Sequence, residues 1–174
     1  MGKLRIGLAG LGRLGQRYAE NLARAIPRAE LAAVCSPVES ERAWARDTLG
    51  VSTIYTGYEE MLADPSLDAV FLVTPTSLHA SQIEQALDAG KHVFCEKPLG
   101  RTGDESYEMW QRVAATGVQH MTAFNYRFVP AVRLAREMLE AGELGDVLHF
   151  RGRYLQEWGT TTADAWRFHK GEAG

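Results

Sequence analysis

The stretch Ile6-Gly7-Leu8-Ala9-Gly10-Leu11-Gly12-Arg13-Leu14-Gly15 is an apolar run that ends in spaced glycines and passes straight into a helix-forming segment. Few backbones satisfy that order. A strand from Leu4 to Ala9 must stop at a tight turn, and a helix over Arg13 to Ile26 must begin at once, before Pro27 ends it. The G-x-G-x-x-G spacing gives each glycine a task. Gly10 permits the turn, Gly12 lets a ligand approach the backbone, and Gly15 lets the helix pack closely on the strand. Unpaired N–H groups at the start of such a helix, with its dipole behind them, favour an anion such as a pyrophosphate. Gly10, Leu11, Gly12, Arg13, Leu14 and Gly15 are therefore the candidate phosphate-binding turn of a dinucleotide site.

The rest of the chain alternates strand and helix signals. Glu30 to Ser36 reads as a second strand, buried on both faces as parallel strands are. In dinucleotide folds an Asp or Glu about 20 residues beyond the glycines holds the adenosine ribose. Ser36 stands there, 21 residues after Gly15. It carries no charge to repel a 2′-phosphate, and Glu39 and Glu41 precede Arg42, so no cation follows at once to attract one. Ribose contact and capping of the next helix are equal alternatives for Ser36, and the cofactor reads as NAD or NADP.

A helix over Val38 to Leu49 ends at Gly50, followed by a short strand, Thr53 to Thr56, and a short helix, Tyr58 to Ala63. Leu67 to Thr74 is the next parallel-sheet strand by its β-branched content. It breaks at Thr74-Pro75-Thr76-Ser77-Leu78-His79, where a helix running to Ala89 and Gly90 begins. Ligands of open α/β sheets collect beyond the carboxyl ends of strands, so Thr74, Pro75, Thr76 and His79 belong at the same mouth as the glycines. For His79 a packed structural role competes with cofactor contact. The strand His92 to Cys95 then delivers Glu96 and Lys97 to that mouth, and Pro98 holds Lys97 extended and admits a cis peptide. A lysine desolvated beside a cofactor can exchange protons near neutrality; a surface lysine in a turn is the plainer alternative.

A helix, Asp104 to Thr116, and a sixth strand, Val118 to Phe124, complete a doubly wound domain. The pattern then changes. Asn125 to Pro130 leads into an amphipathic helix, Ala131 to Ala141, a strand-like run, Val147 to Gln156, and a tail with Trp158 and Trp166. The fold class expected is α/β, a doubly wound parallel sheet (Rossmann) over residues 1–123, followed at 124–174 by the incomplete start of a second domain of α+β type. The 174 residues carry a net charge of −3 without a basic stripe, which argues against nucleic acid as a partner. No segment is apolar for long enough to span a bilayer, and Gly10 and Arg13 interrupt the first apolar run too early for a signal peptide. Cys35 and Cys95 lack C-x-x-C spacing and read as buried free thiols, so a cytoplasmic location is expected. The 5 histidines and 2 cysteines show no metal-ligand spacing, and no metal is expected.

The fingerprint with Ser36, the segment Thr74 to His79, Glu96-Lys97-Pro98 and Phe124-Asn125-Tyr126-Arg127-Phe128 occur in this order. Together they resemble the glucose–fructose oxidoreductase / inositol dehydrogenase (Gfo/Idh/MocA) family of NAD(P)-dependent oxidoreductases, with the nearest look to myo-inositol and related polyol or sugar dehydrogenases. The resemblance implies hydride transfer between a secondary alcohol and nicotinamide, with Lys97 as acid/base group next to nicotinamide and the substrate hydroxyl. It implies that Glu96 lines the cofactor cleft and that Asn125 and Arg127 face the substrate, a polyol or sugar. For Arg127 an interdomain salt bridge is an equal alternative. Assembly as a homo-oligomer is left open. In that family an Asp and a His four residues later follow the segment matched by Trp166-Arg167; Asp164 and His169 lack that spacing. The chain therefore reads as the N-terminal portion of such an enzyme, with little activity expected of the 174 residues alone. A non-catalytic NAD(P)-binding module acting through a partner chain is the rival reading, and a fragment that swaps its last helix and strand into a second copy is a third.

Overall fold

The first five of six strands are rich in Ala, Val, Leu, Ile, Phe and Cys, and all six pair in parallel. The computed structural model describes residues 2–155 and 168–173. The strands are β1 (Leu4–Ala9), β2 (Ala29–Cys35), β3 (Ile54–Tyr55), β4 (Ala69–Leu72), β5 (His92–Cys95) and β6 (His120–Thr122). They form one sheet in the order β3-β2-β1-β4-β5-β6. The helices are α1 (Arg13–Arg24), α2 (Glu39–Leu49), α3 (Tyr58–Leu62), α4 (Thr76–Asp88), α5 (Gly103–Ala114), α6 (Pro130–Glu140) and α7 (Lys170–Ala173), with a 3₁₀ turn at Asn125–Phe128. The doubly wound sheet expected from the alternation is what forms.

Alternation along each strand decides which helices each face receives. Leu8 and Val34 point to one side, where Leu11, Ala19 and Ala45 from the first turn, α1 and α2 close over them. Ala9, Ala33, Cys35, Val70, Leu72, Val93 and Cys95 point to the other, against Met61, Ile83, Ala86, Met109 and Val113 of α3, α4 and α5. Burying one such leucine completely is worth about 1.5–3 kcal/mol, so the double cover holds the sheet edge in place. Phe71 and Phe94 face each other across β4 and β5 with stacked rings, centroids 4.4 Å apart, and Tyr18 of α1 meets Phe94 edge-on at 5.5 Å.

The register aligns the strand ends. Ala9 pairs with Cys35 on one side and Leu72 on the other, Leu72 pairs with Cys95, and Cys95 with Thr122. Ser36, Gly10, Val73 and Glu96 therefore leave the sheet along one edge. Between β1 and β4 the winding reverses, and the loops after these two strands part in opposite directions to open a crevice.

The bounds of the elements expected from the sequence differ from those observed by at most two residues, except at one place. Of the expected strand Val147 to Gln156, residues 147–155 form no strand, and Gln156 lies outside the described residues. A strand needs a neighbour's N–H and C=O groups, and apolar content alone cannot supply them. Leu148, Phe150 and Leu155 stand more than four-fifths exposed. Trp158, Trp166 and Asp164 lie outside the described residues as well.

Candidate functional site: the cleft at the carboxyl edge of the sheet

A cleft of about 730 Å³ lies beyond the carboxyl ends of β1, β2, β4 and β5. Its lining includes Gly10, Leu11, Gly12, Arg13, Leu14 and Gly15, then Ser36 and Glu41, then Thr74, Pro75 and Thr76, and finally Glu96, Lys97 and Pro98. Four segments separated by up to 88 positions thus meet at one mouth.

The glycine turn has the geometry that its spacing demands. Gly10 sits at φ +90°, and a Cβ there would lie 2.5 Å from the Val73 carbonyl oxygen. At Gly15 a Cβ would come within 2.0 Å of the Gly10 oxygen, so α1 can meet β1 this closely only through glycine. Gly12 is different. A Cβ there would meet nothing of the protein nearer than Glu41 Oε1 at 3.9 Å, so the space above it belongs to the cleft. Gly12 is also the N-cap of α1, with no side-chain cap and no acid in the first turn. The first N–H groups of α1 therefore point unpaired into the cleft, a setting that fits a bound phosphate.

Glu96 and Lys97 form the opposite wall. Glu96 is buried; Oε1 accepts a 2.7 Å hydrogen bond from the Tyr18 hydroxyl and Oε2 accepts one of 2.9 Å from the Lys97 backbone N–H. Burial first, and the Glu96 bond second, push the Tyr18 hydroxyl well above the usual phenol range. The Lys97–Pro98 peptide bond is cis. Lys97 itself is exposed at the mouth of the cleft.

On the third wall Thr74 Oγ1 donates a 2.6 Å hydrogen bond to Gln82 Oε1, and Tyr58 donates one of 2.9 Å to the Gln82 carbonyl oxygen. His79 lies behind this wall. It is 1% exposed, with Nδ1 2.9 Å from the Pro98 carbonyl oxygen and Nε2 3.0 Å from that of Thr74. Its ring is packed between two loops and stays out of the cleft lining, so of the two roles weighed for it the packed one is what the geometry provides. Asn125 and Arg127, on the 3₁₀ turn, are exposed and also outside the lining.

Residues 4–124 match the oxidoreductase family described as having an NAD-binding Rossmann fold (GFO/IDH/MocA), and residues 132–174 match the family's C-terminal domain. The chain belongs to the Gfo/Idh/MocA family of oxidoreductases. Levoglucosan dehydrogenase of Pseudarthrobacter phenanthrenivorans is 37% identical over 185 residues, covering 100% of this chain and 47% of the relative. A solved levoglucosan dehydrogenase complex with NADH and L-sorbose superposes at a TM-score of 0.89, with 37% identity over 100% of this chain and 49% of that one. Scyllo-inositol dehydrogenase of Lactobacillus casei, solved with NAD(H) and scyllo-inositol, gives a TM-score of 0.79 at 39% identity, covering 83% of this chain and 43% of that one. The D-xylose 1-dehydrogenase (NADP(+)) 2 of Haloferax volcanii is 44% identical over 119 residues, 68% of this chain and 36% of the relative. The chain spans about half the length of the curated relatives it matches first.

Within this family frame the sequence reading missed Tyr18, Glu41, Tyr58 and Gln82, all of which touch or line the cleft walls. Gln82 left a trace: Thr76, His79 and Gln82 recur every third residue on α4 and are buried together, a polar stripe on a face that packs inward. Tyr18 and Glu41 left none. Cys35 and Cys95 are buried free thiols, as expected. Burial, reinforced by Glu60 and Glu96 respectively, raises their pKa values to about 11 and about 12, which suits a packing role and no nucleophilic one. No helix among the described residues is long and apolar enough to cross a membrane.

Proposed function

We propose that this chain forms the cofactor-binding half of a nicotinamide-dependent polyol or sugar dehydrogenase, with Lys97 as its acid/base residue. The observation that carries the proposal is the delivery of Lys97 from the end of β5 into the cleft that the fingerprint turn opens at the end of β1. Names of relatives that act on inositol, levoglucosan and xylose support a secondary alcohol of a polyol or sugar as substrate. The open space over Gly12 and the uncapped start of α1 fit a pyrophosphate, and bound NAD supplies a hydride acceptor. With alcohol and cofactor bound, Lys97 Nζ would accept the hydroxyl proton as the carbon-bound hydride passes to the nicotinamide. Glu96 fixes the lysine backbone, and Tyr18 fixes Glu96. Holding alcohol, lysine and cofactor at one mouth converts a three-body encounter into a local step. Residues 1–123 are read as the dinucleotide domain and 124–174 as the start of the substrate domain, to which Asn125 and Arg127 contribute substrate-facing groups.

The test is a titration with NAD⁺ and NADP⁺ by calorimetry, followed by nucleotide reduction with scyllo-inositol, myo-inositol, levoglucosan or D-xylose as donor. Saturable binding with alcohol-dependent reduction that disappears in Lys97→Ala supports the proposal. Reduction that survives Lys97→Ala removes the lysine from it. Binding without reduction by any alcohol leaves a nucleotide-binding module that works through a partner chain.

A further inference from the structure

The usual ribose-binding acid is missing from the end of β2, yet a carboxylate reaches the same place from elsewhere. Ser36 is 1% exposed, and its Oγ is fully engaged: it accepts a 3.1 Å hydrogen bond from the Val38 N–H and donates one of 2.5 Å to Glu41 Oε2. The serine thus acts as a turn residue at the entry to α2 and as the anchor of Glu41. The second carboxylate oxygen, Oε1, lies 3.9 Å from where a Gly12 Cβ would stand, and Glu41 lines the cleft. Its charge therefore sits between the end of β2 and the phosphate turn. A nucleotide with its pyrophosphate on α1 places its adenosine ribose there.

We propose that Glu41 makes this site select NAD over NADP, the acid of the second strand being supplied from the first turn of α2. This rests on the nucleotide-site reading above. A carboxylate in that position accepts hydrogen bonds from both ribose hydroxyls and repels a 2′-phosphate at short range. The neighbouring cation does not offset it. Arg42 turns away, donating to the Ser36 carbonyl oxygen at 2.6 Å and pairing with Glu39, and it is absent from the cleft lining. Arg13 does line the cleft, beside Gly12, and is the group that would favour the extra phosphate if Glu41 did not dominate.

The experiment compares dissociation constants for NAD⁺ and NADP⁺ in the wild-type chain and in Glu41→Gln. The amide oxygen still accepts from Ser36 Oγ, so the entry to α2 is kept and only the charge is lost. The wild type is expected to bind NAD⁺ at least about tenfold tighter. In Glu41→Gln that ratio is expected to fall about tenfold or more through a gain in NADP⁺ affinity, with the urea midpoint unchanged. A ratio that stays the same in the variant, or a wild type that prefers NADP⁺, overturns the assignment and gives the choice to Arg13. If neither nucleotide binds to the folded wild type, the nucleotide-site reading itself fails, and the role of Glu41 fails with it.

Discussion

The Tyr18 hydroxyl donates to Glu96 Oε1 across 2.7 Å, joining the first helix to the loop that carries Lys97. The other oxygen of Glu96 already holds the Lys97 N–H, so the buried carboxylate has one partner from each side of the cleft. Tyr18→Phe keeps the ring against Phe94 and removes only the donor. Leaving a buried acceptor short of a partner costs about 1–3 kcal/mol. Urea denaturation of the variant is expected to show that loss as a lower midpoint with an unchanged slope; an unchanged midpoint would mean that the bond contributes nothing.

The two later glycines of the fingerprint separate fold from binding. Gly12→Val places its methyl groups in the cleft, where no protein atom lies closer to the new Cβ than 3.9 Å. The fold should survive, with a circular dichroism spectrum and urea midpoint like the wild type, while NAD⁺ affinity is lost. Unchanged affinity would defeat the phosphate-turn assignment.

Gly15→Ala acts the other way, since its Cβ would sit 2.0 Å from the Gly10 oxygen. Parting α1 from β1 to relieve that contact costs at least about 1–3 kcal/mol. A thermal melt at or above the wild-type midpoint would contradict the close packing.

The thiols give stability a defined alkaline limb. Folding raises Cys35 from an ordinary value of 9.0 to about 11 and Cys95 to about 12. Below pH about 9 both states keep these protons and the thiols add no slope. Above it the unfolded chain loses protons that the folded chain retains, so stability falls until the folded thiols titrate. Tyr18 and Tyr58, raised for the same reason, extend the fall. Urea midpoints are expected to be level from pH 7 to about 8.5 and to decline above pH 9, with a shallower decline in a Cys35→Ala/Cys95→Ala double variant. A double variant with the wild-type slope would assign the decline to other groups.

Much of this was legible because the information was local. Gly10, Gly12 and Gly15 carry their geometry in their spacing, and Leu67 to Thr74 or His92 to Cys95 carry theirs in β-branched and apolar content. What stayed hidden depends on pairs far apart in the chain. Nothing near Tyr18 announces Glu96, 78 positions on. Ser36 could be seen at the right place, but nothing in the sequence ties it to Glu41, to which its Oγ donates while accepting from the Val38 N–H at the entry to α2. The expected strand at Val147 failed for a related reason: a side-chain pattern specifies one face of a strand, and hydrogen-bonding neighbours decide whether it exists.

The His79 ring is wedged between the carbonyl of Thr74 and that of Pro98. Chain order writes the loops after β4 and β5 as separate pieces; the imidazole makes them a single jaw, with its bite set from behind. Grafting a different Glu96-Lys97-Pro98 segment onto this scaffold would therefore also mean choosing the residue at position 79. The unit of exchange here is a pair of loops together with the ring packed between them, and a swap that respects only the visible lining would leave out the residue behind it.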